Sequence, residues 1–394
     1  MRILMVSPDY TDSLYGGIGI YVDLLINQIL FYTTYDITLI ICRYKDNTST
    51  VLKHKVVCER FDYYSIPYRF GDSFSEFDVN GLSPNPLTPV RLCEFNTTVF
   101  KFIMEIVKDK KYDLIHVHDA YSAPAVFGVK HLLAIPLIAT IHAMTENQMF
   151  LTSLRDFLIK NSDTLTTNSE KMKLRIISEF GVAKQIHVIN PTININDYDY
   201  QEMEPLGVSG DPFIITYLGR LAKYKGIHIF LDSIAILNEL FDYGAIHFNI
   251  IGTGKVDLDK IIAERKLVNV TVHGQLSNRE ALNILNSSYV QVVPSLNEPF
   301  GIVVLEGMSV GTCVIGSNSS FGELINDMVD GILFESNDPS DLAAKIQMAI
   351  SDPFLRNTIA KNAHDKSQKN IEKFAIDHIK LYGAISTGLG KINN

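Results

Sequence analysis

The sequence predicts an α/β protein built of two Rossmann-like, doubly wound domains. Three observations carry that reading. Short apolar runs of strand length alternate with segments of helical period from the first residue onward, a pattern that implies parallel strands joined by helical crossovers. The alternation lapses between residues 191 and 212, and then begins again. The chain is also long for a single core, at 394 residues with 46% apolar and 20% charged composition and no low-complexity tract.

Arg2 to Ser7 is the first strand, followed by a loop to Tyr15 and the glycines Gly16-Gly17-Ile18-Gly19. Val22, Leu25, Ile26, Ile29 and Leu30 then recur at helical spacing, and Ile37 to Ile41 is a second buried strand. Lys55 to Cys58 gives a weaker third. Residues 60 to 96 mix aromatics with Asp, Ser and Gly, and Ser83 to Pro89 holds three prolines, so an irregular aromatic loop is expected there. It would cover a sheet edge or form an acceptor lid. Helix resumes from Asn96 to Val107. The strands Leu114 to His118, Leu137 to Thr140 and Thr164 to Thr167 follow, with helices between them and a last strand at His187 to Ile189.

Residues 196–212 form the expected linker, which closes a first domain of residues 1–195. The second domain, residues 213–371, opens with the strand Phe213 to Leu218 and the helix Gly226 to Leu240. His247 to Ile251, Val270 to His273, Val290 to Pro294, Thr312 to Gly316 and Ile332 to Glu335 are its further strands. Helices are expected at Val256 to Lys266, Asn278 to Asn286, near Phe321 to Met328 and after Asp338, whose side chain, early Pro339 and first-turn Asp341 make a good helix start. The tail suggests two helices broken at Lys369-Asn370. The second shows a partial apolar face at Ile371, Phe374, Ile379 and Leu381, and helix 372–387 is expected to return to the first domain.

Composition narrows the function. With 35 basic and 44 acidic residues the net charge is -9, which disfavours nucleic acid as main ligand and leaves room for a local phosphate pocket. The start is too short in apolar residues for a secretory leader, and no run approaches a membrane span. Cys42, Cys58, Cys93 and Cys313 lie far apart, suggesting neither disulfides nor zinc. A cytoplasmic protein is expected, with at most transient contact at the inner membrane face.

Gly16-Gly17-x-Gly19 is not a dinucleotide fingerprint, because its glycines are adjacent and no acid ends the second strand. The glycines offer either a tight turn or close approach of helix amides to a ligand. His118 ends a strand, where open α/β sheets bind ligands, and His142 ends the next one. His116 lies deeper and suits a satisfied core histidine. In the second domain Gly219-Arg220 follows a strand and Lys225-Gly226 begins a helix. Two cations above free amides suit adjacent phosphates. Gly252-Thr253-Gly254 and His273-Gly274 make further permissive turns. Glu298 and Glu306 flank Phe300 and Gly301 at a helix start, where an anionic, hydroxyl-rich ligand can be held.

Glu298-Pro-Phe-Gly-Ile-Val-Val-Leu-Glu306, the Gly219 to Gly226 loop, Gly16-Gly17 and His116-Val-His118-Asp119 together resemble the retaining glycosyltransferases of family 4, whose fold is GT-B: two Rossmann-like domains facing across a cleft. The resemblance runs from Met1 to about Ile350. It implies that Arg220 and Lys225 clamp the donor pyrophosphate and that Glu306 accepts bonds from the nucleotide ribose. Glu298 would contact the transferred sugar and His118 its 6-hydroxyl. The amides after Phe300 and Gly301 would meet sugar or phosphate, with Gly16 and Gly17 approaching the phosphate. The family usually has Pro-Asn-Gly-Val-Asp where this chain has Asn190-Pro-Thr-Ile-Asn194.

The implied activity is transfer of a hexosyl or N-acetylhexosaminyl group, with retention of configuration, from a nucleotide-diphosphate sugar (a UDP-sugar foremost) to a saccharide, lipid-linked or small-molecule acceptor. The nucleotide sugar is then a substrate, no cofactor is tightly bound, and no divalent metal is required. Asp197-x-Asp199 is a poor metal motif. A GT-B epimerase or phosphorylase, and a non-catalytic nucleotide-sugar binder, are the rival readings. The donor sugar, the acceptor and the oligomeric state are open at this level.

Overall fold

The computed structural model describes the chain apart from residues 9, 11–16, 44–50, 55–57, 68–88, 145–148, 194–211, 243, 255, 299 and 388–394. Gly16, Asp197, Asp199 and most of the expected linker therefore lie outside the described residues. Two compact units result. One contains the described residues up to Pro191 and from Glu372 onward, and the other spans Thr192–Ile371. No helix among the described residues is long and apolar enough to cross a membrane.

The first unit begins with β1 (Arg2–Ser7), α1 (Gly17–Tyr32), β2 (Asp36–Arg43), β3 (Leu52–His54), β4 (Phe61–Pro67) and α2 (Pro89–Ile106). It continues with β5 (Leu114–His118), α3 (Ala123–Leu133), β6 (Leu137–Ile141), α4 (Met149–Asn161), β7 (Thr164–Thr167), α5 (Glu170–Phe180) and β8 (Ile186–Val188). The sheet order is β3-β4-β2-β1-β5-β6-β7-β8, parallel except for the β3–β4 pair. Strand order reverses between β1 and β5, so a crevice is expected outside their carboxyl ends. Both faces are apolar, and successive residues alternate between them. Leu4 and Val6 join the core on the α2–α3 face, whereas Ile3 and Met5 join the core that includes Tyr21 of α1.

Two expectations are corrected here. Phe61 to Pro67 is not loop but a parallel strand beside β2. Its odd residues Phe61 and Tyr63 pack on Tyr10, while Asp62 lies on the opposite face, paired with Lys53 and Lys110. Period-two alternation was present, masked by the polar residues of the half-paired edge. Helix α2 begins at Pro89, well before Asn96, because proline at the first helical position needs no amide partner.

The second unit comprises β9 (Phe213–Leu218), a 3-10 turn at Lys223–Lys225, α6 (Ile227–Leu240), β10 (Ile246–Ile251), α7 (Leu258–Glu264), β11 (Val270–Gly274) and α8 (Asn278–Asn286). After these come β12 (Val290–Val293), α9 (Ile302–Ser309), β13 (Cys313–Ser317), α10 (Asn318–Phe321), β14 (Ile332–Phe334) and α11 (Pro339–Ser351). All strands are parallel, in the order β11-β10-β9-β12-β13-β14. The reversal falls between β9 and β12. The helix expected at Phe321 to Met328 is absent: the helical turn here, α10, ends at Phe321, where that helix was to begin. The Asp330 carboxylate takes the backbone and side-chain N–H groups of Asn326, and Met328 is left-handed at φ 59°, so the chain folds back into β14.

The tail is one helix, α12 (Pro353–Ser386), with 34 residues and no break at Lys369-Asn370. Neither residue forbids helix, and no proline or glycine occurs between Pro353 and Gly383 to stop it. The face buried in its last turns is Phe374, Ala375, His378 and Tyr382, not the stripe through Ile379 and Leu381. Phe374→Ala should cost the first unit about 3–5 kcal/mol, by lost burial and the cavity left behind. Urea unfolding followed by amide exchange in β1 and β5 checks this; an unchanged midpoint would contradict docking of these turns.

Candidate active site

In the second unit the chemistry collects at the strand reversal. Hydrogen-bonded register places Tyr217 beside Val292, so the loops leaving β9 and β12 emerge next to each other. The Leu296 amide donates to the Tyr224 carbonyl at 2.9 Å, joining the two loops directly. Gly226 permits the approach. Its φ is 71°, and a Cβ there would lie 1.9 Å from the Pro294 carbonyl oxygen. Ser320 Oγ donates to the Ser295 carbonyl at 2.7 Å, and Ser317 Oγ donates to the same oxygen, which pins the acidic loop from below.

On this frame Lys225 Nζ forms an ion pair with Glu298 Oε2, and both side chains keep only a minor part of their surface exposed. The Tyr217 hydroxyl donates to the Arg220 carbonyl at 2.8 Å, fixing the backbone of the other cation, whose side chain is exposed. Burial, with smaller contributions from Tyr224 and Glu298, drives the Tyr217 phenol far above its ordinary range, so it remains a donor. Lys225, Glu298, Tyr217 and the backbone of Arg220 thus share one corner.

Glu306 lies on the second turn of α9, and its carboxylate forms no hydrogen bond or ion pair with the described residues. It keeps some surface open, yet enough protein surrounds it that desolvation pushes its carboxyl up to about 7. Gly301, at φ 101°, caps α9, and a Cβ there would strike the Phe321 ring at 2.4 Å. The half-buried Phe300 packs with Val304 and Ile325, while Gln291 of β12 donates to Val303 O at 2.9 Å. The first-turn amides of α9 therefore stand on a rigid seat beside Glu298.

In the first unit Gly17 is the exposed first residue of α1. His118 ends β5 and His142 lies just past β6, both on the face covered by α1. Their Nδ1 and Nε2 atoms are 3.0 Å apart. His118 is sealed at 1% exposure and its Nε2 has no partner among the described residues; His142 is the more open at 5%. His116 is a satisfied core histidine, bonded to Tyr382 Oη and Thr140 Oγ1, each at 2.7 Å. Asn190 is held by Asn168 O at 3.0 Å.

Asp119 adds a feature that residue pattern alone did not single out. It is left-handed at φ 58° and buried, with Oδ1 unpartnered among the described residues. Burial pushes its carboxyl up to about 6 despite the Arg155 charge and a bond from the His142 amide. A left-handed non-glycine residue at the carboxyl end of a buried strand is a candidate functional position. The signal available in sequence was its place directly after His118.

Burial holds all four clustered histidines below their ordinary value, His142 at about 3 and His378 at about 4, with His116 and His118 well below 6.5. They are neutral when folded and take up protons on unfolding below about pH 6.5. Asp119 and Glu306, both raised when folded, oppose this with two protons against four. Stability should therefore fall as pH drops from about 6.5 toward 4, with each histidine adding up to about 1.4 kcal/mol per pH unit. Denaturant midpoints across that range check this; a flat profile would contradict neutral burial.

The family described as Glycosyl transferases group 1 matches residues 200–366, and Glycosyltransferase Family 4 matches residues 56–197. An uncharacterized glycosyltransferase of Methanocaldococcus jannaschii is 26% identical over 392 residues, covering 98% of this chain and 99% of its own. Sucrose-phosphate synthase from Thermosynechococcus elongatus superposes with a TM-score of 0.77 at 20% identity, covering 98% and 99% of the two chains. HepE of Anabaena, solved with UDP-glucose, gives 0.68 at 17%, covering 98% and 100%. Two α/β units with mostly parallel sheets, matched over 98% of the chain by such a structure, define the GT-B fold class. The chain is a glycosyltransferase of the family 4 type.

Proposed function

We propose that the protein transfers a hexosyl or N-acetylhexosaminyl group from a UDP-sugar to an acceptor hydroxyl, with retention of anomeric configuration. The observation that carries this is the Lys225–Glu298 ion pair, set across two adjacent strand ends beside the amides of α9. The HepE structure, solved with UDP-glucose, supports the choice of nucleotide sugar.

The roles follow from charge and reach. Arg220 and Lys225 neutralise the diphosphate as it departs, and the α9 amides after Phe300 and Gly301 add donors there. Glu306 accepts hydrogen bonds from the ribose hydroxyls. Glu298, held by Lys225, faces the transferred sugar and offsets the positive charge that develops on it. The bond from the anomeric carbon to the phosphate oxygen breaks while the acceptor oxygen bonds on the same face. The acceptor proton passes to the departing phosphate oxygen. In the first unit, His118 with His142 hydrogen-bonds sugar or acceptor hydroxyls. The leaving charge is thus assigned to side chains and amides, with no metal ligand set invoked. The acceptor is a saccharide, lipid-linked or small-molecule hydroxyl.

Glu298→Gln and Lys225→Ala should each lower kcat/KM at least about a hundredfold, as loss of transition-state stabilisation does. Wild-type kinetics in both would remove the assignment, and an inverted product anomer would remove retention. Ionised Glu306 is the form that accepts from a diol. UDP-glucose, whose diphosphate does not titrate near neutrality, should therefore bind about tenfold more tightly at pH 8 than at pH 6. Calorimetry checks this, with Glu306→Gln flat across the range; equal pH dependence in the variant would contradict the role.

A further inference from the structure

The last turns of α12 belong to the first unit, and they bring two polar side chains onto the histidine face of its sheet. Phe374, His378 and Tyr382 stand four residues apart and so share one helix face. The hydrogen bonds of His378 have a readable direction. His378 Nδ1 lies 2.9 Å from the Phe374 carbonyl, which can only accept, so Nδ1 carries the proton. In the neutral ring Nε2 is then a lone pair, and the Tyr21 hydroxyl, 2.9 Å away, donates to it.

A second chain runs alongside. Thr166 Oγ1, 3.4 Å from Ala139 O, shares a hydrogen bond with Thr140 Oγ1. Thr140 Oγ1 bonds His116 Nε2 at 2.7 Å. The Tyr382 hydroxyl bonds His116 Nδ1 at 2.7 Å. Every group in both chains is buried.

Both chains end against the functional pair. The Tyr21 ring meets His142 edge-on at 4.6 Å between centroids and His118 at 5.9 Å. The His116 ring lies 4.2 Å from that of His118. Tyr21 also meets Phe374 at 5.1 Å, so its ring is held from two sides while its hydroxyl is tethered. Rings locked in this way leave His118 and His142 one packed arrangement, with the unpartnered His118 Nε2 fixed in place.

We propose that Glu372 to Ser386 is a positioning element for the His118–His142 pair, with Tyr21, His378 and Tyr382 as its positioning residues. None of the three needs to touch substrate. They set the angle, and the neutral protonation state, of two imidazoles that the function proposed above places against sugar or acceptor hydroxyls; the inference rests on that placement for its effect on catalysis.

The test separates the two ideas. In the full chain with 15N-labelled histidine, long-range proton–nitrogen spectra at pH 7 should show His378 protonated at Nδ1. Tyr21→Phe and Tyr382→Phe should both shift the imidazole signals of His118 and His142. The opposite tautomer at His378, or unmoved His118 and His142 signals in both variants, overturns the proposal whatever the activity. In kinetics with UDP-glucose turnover as readout, each variant should lower kcat about three- to tenfold, the worth of one buried hydrogen bond, with KM nearly unchanged. His378→Gln, whose carbonyl can still accept from Tyr21, should recover most of what His378→Leu loses. Loss of activity in His118→Ala and His142→Ala but none in Tyr21→Phe and Tyr382→Phe refutes positioning alone. Unchanged activity in all four, with the spectral shifts present, refutes the role of the histidine pair instead.

Discussion

The side-by-side pairing of β9 with β12 is the constraint on which the second unit's chemistry depends. Parallel strands next to each other in space but far apart in sequence release their loops at one edge. That is why a lysine and a glutamate separated by 73 positions form an ion pair. The sheet pays no attention to sequence distance; it needs only the reversal of winding that places β10 on one side of β9 and β12 on the other. Gly226 then removes a steric obstacle, because any side chain there would enter the backbone of Pro294. The charged residues are thus consequences of topology as much as of composition.

The first unit solves a different problem. A sheet face that carries His116, His118, Thr140 and His142 at alternate positions cannot be covered by purely apolar side chains without stranding polar atoms. Helix α12 covers it with one phenol and one imidazole, and α1 adds Tyr21. The result is a polar core inside an apolar one. Its cost is desolvation, visible in the depressed histidines, and its return is rigidity at the edge where His118 and His142 sit.

Much of this was legible in the residues. Strand-length runs bounded by helical periods marked the two sheets, because burial on both faces makes parallel strands apolar throughout, and Glu298, Glu306, Arg220 and Lys225 were visible through their spacing around glycines. What escaped had identifiable causes. Phe61 to Pro67 looked irregular because Asp62 and Ser65 are satisfied by partners distant in sequence, Lys110 and His54. The inward face of α12 was misplaced because an apolar count passes over His378 and Tyr382, which are buried for their hydrogen bonds. Asp119 stands out in no residue pattern, since backbone strain has no signature in composition.

The unbroken helix α12 has a practical corollary for dissecting the enzyme. The polypeptide does not divide into autonomous pieces at the point where its sequence pattern lapses. A fragment ending near residue 195 would lack Phe374, His378 and Tyr382 and would leave buried histidines and an apolar sheet face without a roof. The complementary fragment would carry that roof as an orphaned amphipathic extension. Splicing the final segment back onto the amino-terminal fragment through a tether, or supplying it in trans as a peptide, is the rational way to isolate the first unit.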